Sequence, residues 1–126
     1  MAVLTANAIR TAMQSGEIVI RPFRLRQLNP NSVNLTLGKT LLKYDTTHLL
    51  DLRTEPTTIP IEIPPEGYVL EPNVLYLGHT NEVTHTNVYA PFIEGRSSIG
   101  RMGISVHITA GFGDIGFNGT WTLEIT

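Results

Sequence analysis

Two arginines and two serines share one short segment, Gly95-Arg96-Ser97-Ser98-Ile99-Gly100-Arg101. Guanidinium groups are planar, permanently charged forks that match phosphate oxygens. Hydroxyls and backbone amides beside glycine can donate to the same oxygens at close range. The spacing is not that of a P-loop, which ends Gly-Lys-Ser/Thr ahead of a helix, nor of a dinucleotide-binding glycine pattern. On composition alone, a polar surface turn with solvated arginines accounts for it equally well. Further along, Thr109–Phe117 sets Asp114 among glycines and two phenylalanines. Such a turn lets backbone approach a ligand, with Asp114 binding a sugar hydroxyl or orienting a water. The commoner fate of an Asp in this context is to hydrogen-bond its own turn. Trp121-Thr122-Leu123-Glu124 then places a carboxylate in an alternating run, where it either faces solvent or enters a pocket as acid and base.

Other polar residues carry weaker signals. His48, His79, His85 and His107 have no metal-like spacing with one another or with acids, and ordinary hydrogen-bonded or surface histidines are expected. Arg21, Arg24 and Arg26 form a basic cluster whose default reading is a solvated edge, with little to suggest nucleic-acid binding. Tyr76, Tyr89, Phe92 and Trp121 are expected in the core or an interface.

The elements that must position these groups are mostly strands. Thr5 can cap a helix running to about Gln14, with Ile9, Ala12 and Met13 on one face and Gly16 as its stop. Beyond it the period falls to two. Strands are expected at Glu17–Ile20, Val33–Leu37, Thr40–Tyr44, Ile59–Ile63, Tyr68–Leu70, Val74–His79, Ile104–Thr109 and Thr120–Ile125. Asn29-Pro30-Asn31, Pro64-Pro65-Glu66-Gly67 and Glu71-Pro72-Asn73 separate them. Residues Thr46–Pro60 lack a pattern and read as a surface excursion. Many short strands after one helix predict an antiparallel sandwich or barrel.

At 126 residues, the sequence is expected to form one domain, residues 1–126. Hydrophobic content of 41% and charged content of 16% suit a folded protein. A net charge of −2 supplies no global attraction to nucleic acid or anionic membrane, so an anionic ligand needs a local site. No apolar run is long enough to span a bilayer, and Met1–Ile20 lacks the order of a signal peptide, so a cytoplasmic location is expected. With no cysteine, disulfides, thiolate catalysis and Cys-ligated zinc are excluded.

In this order the segments resemble the dCTP deaminase family of the dUTPase-like superfamily. The resemblance is carried by Ser15–Phe23, Asn31–Gly38, Leu77–Glu82, Glu94–Arg101, Val106–Gly111, Asp114–Gly119 and Thr122–Glu124. It implies a distorted β-barrel or jelly roll that assembles as a homotrimer, with active sites across subunit interfaces. Arg96, Ser97, Ser98, Ile99, Gly100 and Arg101 would bind the triphosphate of dCTP or dUTP, and Mg²⁺ would arrive with the nucleotide. Asp114 would bind the deoxyribose 3′-hydroxyl, and Thr122 and Leu123 would line the base site. Glu124 would be the acid and base for attack of water on C4, a route suited to a sequence that has no cysteine for the zinc of other cytidine deaminases.

Gly111-Phe112 resembles members that also cleave the triphosphate to give dUMP, rather than those with His-Arg there. Two departures accompany the resemblance. Asn34 stands where the family usually has Asp. Members also continue past the residue matching Glu124 with more strands and a tail that closes over the nucleotide, so a C-terminal truncation is expected. A non-catalytic nucleotide-binding relative and a dUTPase without deamination are the alternative readings.

Overall fold

The computed structural model describes residues 1–126. Helix α1, Ala6–Ser15, starts where Thr5 accepts the Ala8 amide on its hydroxyl and ends at Gly16, whose φ of 79° is the left-handed conformation glycine tolerates. Its buried face carries Ile9 and Ala12. Strand β1, Ile18–Arg21, follows at once, then a 3₁₀ turn at Leu25–Gln27. The hairpin of β2, Leu28–Asn29, and β3, Ser32–Val33, turns at the Asn-Pro-Asn breaker.

Four longer strands complete the chain's β structure: β4, Thr40–Tyr44; β5, Thr58–Glu62; β6, Tyr76–Thr86; and β7, Asn118–Ile125. The expected architecture, mainly β with a short N-terminal helix, is the one observed. Strand β6 is the axis of an antiparallel sheet in which β1 and β4 share one of its edges and β7 covers the other. Strand β5 lies outermost against β4, a position that tolerates Pro60, which has no amide to donate.

The β6–β7 ladder contains an irregularity that sequence periodicity hides. Thr80, Asn81 and Glu82 together oppose Trp121, so the register shifts between His79 and Val83. Thr80 occupies the break, donating its hydroxyl to the Glu82 carbonyl and accepting the Trp121 amide. Glu82 is only 2% exposed, and its carboxylate accepts from the Gln27 amide, the Thr36 backbone N–H and the Thr36 hydroxyl. These bonds satisfy a charge that would otherwise be costly to bury. They also fasten residues 34–37 to β6, where only a bridge between Leu37 and Thr80 forms instead of the expected strand Val33–Leu37.

Leu41, Tyr76, Leu123 and Ile125 form the buried core, with Ile61, Ile63, Tyr68, Leu70, Val74, Ile93, Ile104 and Trp121 packed around them. Tyr68 and Leu70 contribute side chains to this core without forming a strand. The expected strand at Ile104–Thr109 is also absent as a full element. The Ser105 amide reaches the Thr126 carbonyl and the Glu124 amide reaches the Val106 carbonyl, but the amide of Ile108 leaves the ladder for a side chain.

Candidate active site

The side chain that captures Ile108 is Glu124. Its Oε2 accepts the Ile108 N–H at 2.7 Å, while its own amide donates to Val106. Strand alternation decides where the carboxylate points. Trp121, Leu123 and Ile125 face the core, so Thr122 and Glu124 share the opposite face. Leu77 is directly across from Glu124 and His79 directly across from Thr122. Leu123 is only 8% exposed, so its side chain belongs to the core and only its backbone is available on the Thr122–Glu124 side.

The arginine–serine segment forms one helical turn, α2, Ser97–Gly100, with Arg96 as its N-cap and Arg101 as its C-cap. Amides of Ile99 and Gly100 return to the Arg96 carbonyl, and the Arg101 amide to that of Ser97. Arg96, Ser97, Ser98 and Arg101 are exposed, and none of their side chains makes a hydrogen bond or ion pair within the chain. Ile99 is half-buried and anchors the turn, since its carbonyl accepts from both Met102 and Ile104. The arrangement offers two cations, two hydroxyls and the open amides of a first turn on one small surface.

Asp114 opens a tight turn in which the Phe117 amide bonds its carbonyl at 3.1 Å and Gly116 takes a φ of 91°. Its carboxylate is exposed and makes no bond, so the turn is not held by the side chain. Gly113, just before it, lies against the Trp121 indole; a Cβ there would stand 2.5 Å from the ring. Trp121 is fixed in turn by its Nε1–H, which donates to the Thr84 hydroxyl at 2.9 Å. Asp114 therefore lies in the turn that leads into β7, and Glu124 near that strand's end.

The two regions meet through the run 104–108, which leaves α2 and passes alongside the end of β7. Gly95 approaches Val106, and His107 Nε2 lies 3.3 Å from Glu94 Oε2, beside the arginine–serine segment. The Ile108 amide and this His107–Glu94 contact are the features of the candidate site that sequence reasoning missed. Both join residues distant in sequence and carry no local signature. No group of three or more His, Cys, Asp or Glu residues stands together in metal-binding range. No helix is long and apolar enough to cross a membrane.

Perturbed acids lie elsewhere, in the 45–71 region. Hydrogen bonds from the Thr47 amide and hydroxyl hold Asp45 below the usual carboxylate range, and bonds from Arg53 do the same for Asp51. The Lys43 ammonium lowers Glu71 by a hydrogen bond and by its charge.

Comparison with known proteins places this geometry in context. The family model described as dCTP deaminase-like matches residues 3–126. A protein of Clostridium acetobutylicum named dCTP deaminase, dUMP-forming, is 52% identical over 123 residues, 98% of this chain and 70% of the relative. Proteins of the same name from Clostridium beijerinckii and Cytophaga hutchinsonii are 56% and 55% identical, and the matched part is 62% of each. The crystal structure of 2′-deoxycytidine 5′-triphosphate deaminase from Agrobacterium tumefaciens superposes with a TM-score of 0.72 at 20% identity, so the fold is shared. It covers 98% of this chain and 42% of that one.

Proposed function

We propose that this chain, which belongs to the dCTP deaminase-like family, deaminates dCTP at C4 of cytosine, using Glu124 as the proton shuttle. The observation that carries this reading is the Glu124 carboxylate. It is held at 2.7 Å by the Ile108 amide on the face it shares with Thr122, rather than free in solvent. A positioned carboxylate can take a proton from water as its oxygen adds to C4, then deliver a proton to the amino group as the C4–N bond breaks. The products are dUTP and ammonia.

Arg96, Ser97, Ser98 and Arg101 would take the triphosphate, aided by the backbone of Ile99 and Gly100. They are exposed and have no partners within the chain, which leaves their donors open to phosphate oxygens. Mg²⁺ would come bound to the nucleotide. Asp114 would receive the 3′-hydroxyl, and Thr122 with the backbone of Leu123 would receive the base. The chain would assemble as a homotrimer with sites between subunits; the exposed Phe92, Ile108, Phe112, Ile115 and Phe117 favour burial of this surface against another chain.

A second step, attack of water on the α-phosphate with loss of pyrophosphate, would give dUMP. Gly111-Phe112 and the dUMP-forming relatives favour it. Incubation of the purified protein with dCTP and Mg²⁺, with dUTP, dUMP and pyrophosphate resolved, tests the reading. The expected result is dUMP and pyrophosphate from the wild type and neither product from Glu124→Gln. Binding of dCTP without product would point to a non-catalytic nucleotide-binding protein. Cleavage of dUTP with dCTP untouched would point to a dUTPase.

A further inference from the structure

His107 lies in the run between the arginine–serine segment and β7, and its ring contacts Glu94, the residue just before that segment. Its peptide neighbours both serve Glu124: the Val106 carbonyl accepts the Glu124 amide, and the Ile108 amide donates to the Glu124 carboxylate. Its ring turns the other way, with Nε2 3.3 Å from Oε2 of Glu94, two residues before Arg96. The Ser105 hydroxyl donates to the His107 carbonyl at 2.7 Å, fixing the backbone between those two rungs.

The ring is also confined. Phe92 meets it edge-on with centroids 6.3 Å apart, and Phe92 in turn meets Phe112 edge-on at 4.7 Å. A Cβ on the buried Gly111 would come within 3.2 Å of His107 Cε1, a close contact that would press on the ring. Nδ1 is fully buried and has no partner in the chain. The contact with Glu94 is thus the ring's only hydrogen bond.

We infer that His107 is a positioning residue: anchored to Glu94, it holds the Ile108 amide where the Glu124 carboxylate needs it and ties that carboxylate to the segment bearing Arg96. The inference rests on the proposed role of Glu124. Without the anchor the 106–108 run keeps its backbone rung and the Ser105–His107 bond but loses the restraint that acts through the His107 ring, so the donor to the carboxylate is less firmly placed. The penalty falls on turnover rather than on nucleotide capture, because neither His107 nor Glu94 belongs to the set proposed to hold phosphate.

The test compares His107→Ala, His107→Gln, Glu94→Ala and Glu94→Gln with Glu124→Gln in steady-state deamination of dCTP by the full chain. His107→Ala and Glu94→Ala should each lower kcat about 10- to 100-fold, the scale for misplacing a catalytic group, with KM nearly unchanged. Glutamine at either position keeps a group able to span the contact and should restore most of kcat. Glu94 has a 63% exposed side chain, so Glu94→Ala folds even where His107→Ala does not. An unchanged kcat in Glu94→Ala, or a loss confined to KM, overturns the inference. Retention of activity in Glu124→Gln would instead overturn the assignment of Glu124.

Discussion

The end of β7 and the turn α2 are both polar, yet they are built in opposite ways. Glu124 is half-buried, hydrogen-bonded through its carboxylate and its amide, and carried on a strand paired along the length of β6. Arg96, Ser97, Ser98 and Arg101 are exposed and bonded to nothing through their side chains. A group that moves protons must stand in place before substrate arrives, whereas groups that hold a triphosphate gain their partners from it. On the proposed reading, damage at β7 should appear in turnover, and damage at α2 in binding.

The largest effect expected is that of Glu124→Gln. It preserves shape and can still accept from Ile108, yet cannot shuttle a proton, so kcat should fall about 10²- to 10⁴-fold. Thermal unfolding of the variant should match that of the wild type. Next come Arg96→Ala and Arg101→Ala. Each removes charge-assisted bonds worth about 1.5–3 kcal/mol, so KM for dCTP should rise about 10- to 100-fold. A fall in kcat alone at these positions would break the comparison.

Smaller effects should leave both regions working. Gly38 packs directly under the His79 ring with no room for a Cβ, so Gly38→Ala should cost about 1–3 kcal/mol of stability in a denaturant titration. The rate per folded molecule should stay near that of the wild type.

The smallest effect concerns acid. Asp45, Asp51 and Glu71 have folded pKa values below their unfolded ones, so their contribution is present above about pH 4 and lost as pH falls further. Lys43→Met should therefore make the acid side of a melting-temperature profile shallower. Because the Lys43–Glu71 pair is exposed, the change should be slight and vanish in high salt.

Local chemistry was legible in the sequence where local chemistry decides the structure. Thr5 and Gly16 bound the helix as their types require, and Thr40–Tyr44 forms β4 residue for residue. The expected strand Val74–His79 begins two residues late and runs on to Thr86, because Asn81 and the buried Glu82 break the alternation at the bulge. The excursion after Thr46 ends earlier than expected, since Thr58–Pro60 already belong to β5.

In sequence the arginine–serine segment looks like a polar turn, and its single helical turn leaves no periodic signal because four residues are too few. Leu123 turned inward, a consequence of strand phase that depends on what β7 packs against. Ile108 and His107 make their contacts with residues sixteen and thirteen positions away, which no window of sequence reveals.

The most direct measurement pairs dCTP affinity with turnover in one variant. Titration of Glu124→Gln with dCTP and Mg²⁺ by calorimetry, alongside product analysis of the same preparation, should give wild-type affinity with dUTP and dUMP formed at least about 100-fold more slowly. Turnover at the wild-type rate by Glu124→Gln would contradict the account.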